Sequence, residues 1–171
     1  MQDAKEIDRK VEINILAFVK DGKFDVLKTG QTRDWVLNNF PIPDDFDNGE
    51  SYKHGEFEIF NYGDFELHFF RDTLYLIFAD YKGAINAGTS LLLTHKWIFE
   101  KDTSDLNFPY VIEALKKENI DFTTQKNDTL YSVTLHLKSK VDLHFESDNS
   151  YELQNYHFVA FWITDRALLN A

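Results

Sequence analysis

An internal match constrains the fold of this chain more than any other feature. The tripeptide Leu-His-Phe occurs at 67–69 and again at 143–145, 76 positions later. In both places a turn-forming stretch precedes it and apolar and polar residues alternate around it, the pattern of a strand after a tight turn. The apolar stripe of the predicted helix that contains Trp35 is matched by a second apolar stripe that contains Tyr110, 75 positions later. This spacing predicts two tandem β-α-β-β-β repeats, although any two amphipathic α+β segments would share the same patterning.

We expect an α+β fold in which these two repeats follow an N-terminal helix. The predicted order is the helix over 1–22, a first repeat over 23–81, a linker over 82–90 and a second repeat over 91–171. For 11–19 an alternating strand competes with the helix, because the apolar residues fit both periods. The repeats should form two antiparallel sheets or one sheet of about eight strands, with helices on one face. Since the chain has 16 Phe, 8 Tyr and 3 Trp, we expect one compact unit with an aromatic core.

Several residues signal where the helices begin and end. Gly22 follows Asp21 at the end of the N-terminal helix, where glycine tolerates the left-handed conformation. Thr32 can accept a hydrogen bond from the first turn of the next helix, and Asp34 suits the positive end of that helix. Pro109 suits the first turn of the helix in the second repeat.

The charge of the chain favours some partners over others. The formal net charge is −11, and a negative field opposes binding to nucleic-acid phosphates and steers a protein toward basic partners. No cysteine is present, which excludes disulfide and thiol chemistry. The chain begins without a signal-peptide pattern, and no apolar run approaches the roughly 20 residues of a membrane helix. We therefore expect a cytoplasmic protein that binds neither nucleic acid nor membranes.

No catalytic signature occurs in the sequence: a phosphate-binding glycine-rich loop, a nucleophile elbow and a zinc-protease helix motif are all missing. Glu66 and His68 share one strand face, and Asp142, His144 and Glu146 share another. Carboxylates and imidazoles are ligands of Zn²⁺ and Mn²⁺, but a site needs three or four that converge. We therefore expect no enzyme activity, no cofactor and no metal. The alternative is a metal- or small-molecule-dependent activity around His68 and His144.

A protein-binding role uses what the chain does contain, namely many carboxylates and aromatic residues at strand positions predicted to point outward. The acidic loop over 43–55 lacks the ligand spacing and the closing glutamate of a calcium loop. Aromatic anchors inside a charged rim are typical of tight protein interfaces. The predicted partner-binding residues are Asp44, Asp45, Asp47, Glu50, Phe60, Tyr62, Glu66, His68, Phe70, Asp142, His144 and Glu146.

Part of the sequence resembles a bacterial family. The run Leu-Lys-Thr-Gly-Gln-Thr-Arg-Asp-Trp-Val at 27–36, a proline at 41 or 43, and the run Tyr-Gly-Asp-Phe-Glu-Leu-His-Phe at 62–69 are similar to a pattern in small immunity-type proteins of bacterial toxin systems. The similarity covers roughly residues 24–81. It implies a protein that binds a cognate toxin and blocks it. The toxin would be basic and nuclease-like, and carboxylates would mimic the charge of its substrate.

Two further resemblances bear on architecture. The Gly-x-Thr part of the first run, with the proline after it, is also similar to a small family of outer-membrane assembly lipoproteins. The tandem arrangement resembles that of β-lactamase-inhibitor proteins, which carry two helix-plus-sheet repeats. Both of these families consist of exported proteins.

Overall fold

The computed structural model describes residues 10–47, 56–100 and 106–170 of the chain. Within these residues the α-helices are α1 (Ile15–Asp21), α2 (Arg33–Asn39) and α3 (Phe108–Lys117). The strands are β1 (Val11–Asn14), β2 (Asp45–Asp47), β3 (Phe57–Tyr62), β4 (Phe65–Phe70), β5 (Thr73–Asp80), β6 (Leu91–Thr94), β7 (Phe122–Asn127), β8 (Ser132–Leu137), β9 (Val141–Glu146) and β10 (His157–Thr164). Short 3₁₀ helices cover Trp97–Glu100, Leu153–Asn155 and Arg166–Asn170.

Eight of the strands form one continuous antiparallel sheet in the order β2-β3-β4-β5-β10-β9-β8-β7. The four strands of the first half meet those of the second half where β5 pairs with β10, from Asp80 opposite Ala160 to Leu76 opposite Thr164. A separate pair of parallel strands, β1 and β6, forms a small second sheet. The α+β class is therefore confirmed, and of the two expected arrangements the chain adopts the single eight-stranded sheet.

The hydrophobic core lies between this sheet and a second layer that holds the helices and the small sheet. Phe18 of α1 contacts Phe161 of β10, with ring centroids 5.8 Å apart, and Phe108 of α3 contacts Phe145 of β9 at 5.2 Å. Ile13 of β1 is fully buried in the same cluster. Since one cluster of buried side chains contains residues of both halves, the described residues share a single core.

The N-terminal segment differs from the predicted helix. Residues 1–9 lie outside the described part of the chain, and Val11–Asn14 forms strand β1. The partner of β1 is Leu91–Thr94, about 80 residues away, so the local pattern could not reveal it. Helix α1 begins after Asn14, whose side chain accepts a hydrogen bond from the Ala17 backbone N–H at 2.9 Å. It ends at Gly22 with a φ of 69°, as predicted.

Several strand bounds also differ from the prediction. The apolar residues over 91–99 predict one strand, whereas β6 ends at Thr94 and is followed by the 3₁₀ helix Trp97–Glu100. Part of the predicted acidic loop forms β2, and β7 was not predicted at all. Both are the edge strands of the sheet. Edge strands are rich in polar and charged residues, which protect them from pairing with other chains, so they lack an apolar pattern.

The two halves place their elements in matching order. In the first half α2 precedes β2, β3, β4 and β5, and in the second α3 precedes β7, β8, β9 and β10. The N-cap residue of each helix forms an isolated bridge with the first residue of the last strand: Thr32 with Thr73, and Asn107 with His157. The origin of both halves from one duplicated unit stays a prediction.

The offset between the halves changes along the chain. Measured between first residues, it is 75 from β3 to β8, 76 from β4 to β9 and 84 from β5 to β10. The 76-residue offset of the Leu-His-Phe match also aligns Tyr75 with Tyr151. This alignment is wrong, because Tyr75 lies in β5 whereas Tyr151 precedes β10 and is 58% exposed. The extra residues lie in the connection between β9 and β10, where an insertion leaves the pattern of the flanking strands intact.

The segment expected to be a linker, 82–90, makes specific contacts with the turn between β3 and β4. Asp64 donates its backbone N–H to the Asn86 carbonyl at 2.8 Å, and its carboxylate accepts the Asn86 N–H at 2.6 Å. The Thr89 N–H donates to the Asp44 carboxylate at 3.0 Å, and the same carboxylate accepts the Gly63 N–H at 2.9 Å. These bonds hold the connection between the halves against the first half.

Candidate functional site

The face of the large sheet opposite the core carries most of the chemistry in the described residues. Side chains alternate between the two faces of a strand, and the three α-helices pack on the core face. We call the opposite side the open face. Its central row crosses all eight strands in register: Asp45, Asn61, Glu66, Phe78, Trp162, Asp142, His136 and Thr123.

Two aromatic rings stack at the centre of the open face, where the halves meet. Phe78 and Trp162 are paired in register, with ring centroids 6.1 Å apart and an angle of 20° between the ring planes. His68 approaches Phe78 at 6.3 Å, and His144 approaches Trp162 at 5.5 Å. The four rings form a row across β4, β5, β10 and β9. Edge-to-face and offset contacts of this kind hold neighbouring rings in fixed orientations.

A carboxylate stands beside each of the two central rings. Glu66 is the register neighbour of Phe78, and Asp142 is the register neighbour of Trp162. Register neighbours have Cβ atoms about 4.5–5.5 Å apart. The side chains of Glu66 and Asp142 are 33% and 18% exposed, so both are partly removed from water and still reachable from outside.

Histidines hold these carboxylates in place. His68 Nε2 lies 2.7 Å from Glu66 Oε2, and His136 Nδ1 lies 2.7 Å from Asp142 Oδ1. The second nitrogen of His136, Nε2, lies 2.9 Å from Gln125 Oε1. A ring nitrogen that donates to a carboxylate oxygen fixes the orientation of both groups and leaves the second oxygen available. Each half therefore presents one oriented carboxylate on the central row.

The third histidine of the open face forms a hydroxyl–imidazole–carboxylate chain. His144 Nδ1 lies 2.9 Å from Thr134 Oγ1, and His144 Nε2 lies 3.3 Å from Glu146 Oε1. These are the residue types of a nucleophilic triad, which also needs free N–H donors for the oxyanion. Thr134 lies inside β8, which pairs with a strand on each side, so its ladder occupies the backbone N–H groups. The arrangement is therefore a hydrogen-bonded surface network.

His68 and His144 do not converge. They lie on β4 and β9, which are separated by β5 and β10, so three strand spacings of about 4.8 Å place them at least roughly 14 Å apart. His68 is in register with Leu76 and His144 is in register with the row of Asp80, so they are also displaced along the strands. Among the residues that the structure describes, no group of three or more His, Asp or Glu side chains could hold a metal ion. A metal-dependent activity that used both His68 and His144 would therefore need two separate metal sites. Alternatively, further ligands would have to come from outside the described residues.

Eight of the twelve predicted binding residues lie on the open face. Five of them are on β4 and β9, namely Glu66, His68, Asp142, His144 and Glu146. Phe70 ends β4 on the same face, and Asp45 and Asp47 of β2 are register partners of Asn61 and Ile59. The spacing of alternate residues in β4 and β9 was enough to group the first five, because both strands carry apolar residues at every intervening position.

The predicted outward orientation of Phe60 and Tyr62 is wrong. Both side chains are fully buried on the core face of β3. Phe60 packs against Phe69 with centroids 4.7 Å apart, and the Tyr62 hydroxyl donates to the Pro41 carbonyl at 2.7 Å. Burial raises the pKa of Tyr62 well above its usual range, and the nearby charge of Asp44 adds to the effect. Because β3 has aromatic or aliphatic residues on both faces, alternation alone could not tell the faces apart.

Phe70 is on the open side of β4 but offers little surface. Only 8% of the residue is exposed. Its ring packs against Phe57 with centroids 4.9 Å apart, and the Arg71 guanidinium lies over it at 4.9 Å from the centroid. Phe70 therefore supports the end of the open face and adds little contact area.

Of the acidic loop, Asp44 holds the fold together, whereas Asp45 and Asp47 lie at the β2 end of the open face. The Asp44 carboxylate accepts bonds from Gly63 and from both the backbone and the hydroxyl of Thr89, so it holds the fold together. Asp45 is exposed on the edge strand β2, and its carboxylate accepts the Phe46 N–H at 2.8 Å. Asp47 ends the same strand. Glu50 lies outside the described residues.

The sequence pattern did not reveal the central aromatic pair or the groove beside it. Phe78 and Trp162 lie in strands that are apolar on both faces, so neither stood out as a surface residue. Together with Tyr75 and with Arg166 at the far end, they line a groove of about 290 Å³. His136, which orients Asp142, was not among the predicted binding residues. Knowledge of the β5–β10 pairing would have placed Phe78 beside Trp162.

Comparison of the chain with protein-family models, with curated proteins and with solved structures found no match. In the described part of the chain no helix has the length and apolar character that crossing a membrane requires. In the described residues, the open face holds the stacked rings, the carboxylates and the histidines that could contact a partner or ligand.

Proposed function

We propose that this chain is a non-enzymatic protein that binds and blocks a basic protein partner through its open face. In the specific form of the proposal, the partner is a nuclease-like bacterial toxin, and this chain is its immunity protein in the cytoplasm. The observation that carries the proposal is the central row, in which a stacked aromatic pair lies between two oriented carboxylates.

The composition of the open face is that of a protein interface. Interfaces are built from aromatic anchors surrounded by polar groups that exclude water. Phe78 and Trp162 supply the anchors, and Glu66, Asp142 and Glu146 supply a negatively charged surround. A stacked Phe–Trp pair that no α-helix of the described residues covers offers apolar area that a partner could bury.

The size of the face also suits a specific complex. Eight strands at a spacing of about 4.8 Å span roughly 34 Å, and six residues along a strand span roughly 20 Å. The product is roughly 700 Å², close to the roughly 800 Å² that each partner buries in a standard interface. The sheet therefore has room for a complete interface on one face.

The overall charge gives a reason for a basic partner. With a formal net charge of −11, the chain attracts positively charged proteins over a distance and accelerates their encounter. A nuclease active site must attract phosphates and is therefore basic. Carboxylates at Glu66 and Asp142 would occupy the place of substrate charge in such a site. The resemblance of residues 24–81 to immunity-type proteins supports the same reading.

The test is to identify the partner and then change the open face. Tagged protein is used to capture its partner from source cells at low and moderate salt, and the affinity of the purified partner is measured for Glu66→Lys, Asp142→Lys and the double variant. We expect losses of roughly tenfold or more for the double variant, because each reversal turns attraction into repulsion. Glu113→Lys on α3 is the matched control, since Glu113 is exposed in the layer that covers the core face.

Asp44 is unsuitable for this test because its carboxylate holds the fold together. The docking proposal fails if the double variant binds the partner as tightly as the wild-type protein does. The toxin–immunity form fails if the captured partner is not basic, or if co-expression of this chain does not protect cells from the partner's toxicity.

A further inference from the structure

The open face also has the chemistry to select one kind of basic side chain. A cation is attracted to the face of an aromatic ring, and tryptophan is the best of the rings for this. A guanidinium is planar and weakly hydrated, so it stacks on rings, whereas an ammonium is a compact and strongly hydrated charge. The N–H groups of a guanidinium also match the two oxygens of a carboxylate in geometry. A ring with a carboxylate beside it therefore favours arginine over lysine.

We infer that Phe78 with Glu66, and Trp162 with Asp142, form two adjoining subsites for guanidinium groups, so that the open face recognises arginine side chains of its partner. This inference rests on the proposed function and names the chemistry of its contacts. In each subsite the ring and the carboxylate are register neighbours on adjacent strands. A histidine orients each carboxylate from one side and leaves its other oxygen to accept from a guanidinium.

The arrangement predicts the spacing of the arginines. Glu66 and Asp142 lie on β4 and β9, three strand spacings apart, which corresponds to roughly 14 Å. The stacked rings fill the distance between them. A partner that presents two arginines about this far apart would occupy both subsites at once, and one arginine would occupy either.

The charges around the rings agree with a cationic ligand. Lys82 Nζ lies 2.6 Å from Asp80 Oδ2, on the Glu66 side of the face. The hydrogen bond to Asp80 raises the pKa of Lys82, and the charges of Asp80, Asp64 and Glu66 raise it further. Because Asp80, Asp64 and Glu66 outnumber this one cation, the Glu66 side of the face keeps a net negative charge that favours a cationic ligand. Arg166 lies at the other end of the groove, so a guanidinium would bind on the carboxylate side.

The first experiment uses the indole N–H signals of the isotope-labelled full chain in NMR spectra. The probes are N-acetyl-arginine amide and N-acetyl-lysine amide at equal ionic strength. We expect the arginine probe to shift the Trp162 signal with an affinity at least about threefold higher than the lysine probe, because only the guanidinium stacks. Trp35 lies in α2 and Trp97 begins the 3₁₀ helix Trp97–Glu100, so their signals are internal controls.

The second experiment measures binding of a fluorescent tetra-arginine peptide and its tetra-lysine counterpart by anisotropy. We expect Glu66→Gln with Asp142→Asn to lower the affinity for tetra-arginine by roughly fivefold or more, and to reduce the preference over tetra-lysine. Trp162→Leu should remove most of that preference, and Trp162→Phe should retain it because a ring remains. Glu113→Gln removes a carboxylate from α3 and should change neither value. Circular dichroism confirms that each variant is folded.

Equal binding of the two probes, equal shifts of all three indole signals, or an unchanged arginine preference in Trp162→Leu would overturn the inference. Neither experiment needs the biological partner. If the chain binds arginine selectively but no protein partner is found, the inference is supported and the proposed blocking function is contradicted. A partner whose binding depends on Glu66 and Asp142, together with no selectivity for arginine, would do the reverse.

Discussion

Gly63 is a single residue on which the connection between the two halves depends. Its φ is 62°, and a Cβ atom at this position would lie 2.4 Å from both the Asn86 carbonyl oxygen and the Gly88 nitrogen. We expect Gly63→Ala to lower the free energy of unfolding by about 3 kcal/mol or more, because a left-handed conformation costs about 1–2 kcal/mol for alanine and the clash with rigid backbone adds to it. Urea denaturation measures the loss.

Gly30 provides the matched control for this substitution. Its φ is also positive, at 93°, but a Cβ atom there would have no other atom within 4 Å. Gly30→Ala should therefore cost only about 1–2 kcal/mol, the conformational part of the effect. Equal losses for the two variants would mean that the close approach of residues 86–88 is not what requires glycine at position 63.

The turn at Gly63 shows what a single residue reveals in a sequence. The Tyr-Gly-Asp run predicted a tight turn, and the turn is present between β3 and β4. The sequence could not show that Asp64 bonds Asn86 on both its backbone and its side chain, because that partner lies 22 residues away. The same limit applies to Phe60 and Tyr62, whose orientation depends on which strands pair and which face the helices cover.

At the scale of elements, helices α2 and α3 begin in the same way. The Thr32 hydroxyl accepts the Trp35 N–H at 3.2 Å, and the Asn107 side chain accepts the Tyr110 N–H at 3.0 Å. We expect Thr32→Ala and Asn107→Ala each to cost about 1 kcal/mol, since each leaves an N–H of the first turn without its side-chain partner. For a chain of this size that is a fall in Tm of about 2–4 °C, measured by thermal unfolding.

Asn38 is a matched control for the cap substitutions. It is exposed near the end of α2 and donates only to the Asp34 carbonyl, at 2.7 Å. Asn38→Ala should leave Tm nearly unchanged. Alanine has a higher helix propensity than asparagine, and this gain in stability offsets the loss of one exposed hydrogen bond. A fall as large as that of Thr32→Ala would show that the loss reflects the surface of α2 and not the cap.

Elements with local signals were predictable, and elements with distant partners were not. Caps and prolines placed α2 and α3 because those signals act within a few residues. Strand β1 pairs with β6 about 80 residues later, and β7 is a polar edge strand. On the open face, alternation identified the acidic and histidine positions of β4 and β9. It could not identify Phe78 and Trp162, because β5 and β10 are apolar on both faces.

For the whole molecule, the pairing of β5 with β10 connects fold and proposed function. The central row of the open face crosses this pairing, with Phe78 and Glu66 in the first half and Trp162 and Asp142 in the second. On the core side of the same pairing, Phe161 contacts Phe18 and Phe65 of the first half. Neither the core nor the candidate site is therefore complete in one half alone.

This shared core predicts that the chain unfolds as one unit, and Phe161 is the residue to test. It is fully buried, whereas its neighbour Trp162 points to the open face and is partly exposed. We expect Phe161→Ala to cost about 3–5 kcal/mol and Trp162→Ala about 1–2 kcal/mol, because only the first leaves a cavity in the core. Phe161→Leu, with a smaller loss of about 1–2 kcal/mol, keeps the comparison measurable if Phe161→Ala does not fold.

Calorimetry should give one transition in every variant, with equal calorimetric and van't Hoff enthalpies. Two separated transitions, with Phe161→Leu lowering only one of them, would show that the halves are independent domains.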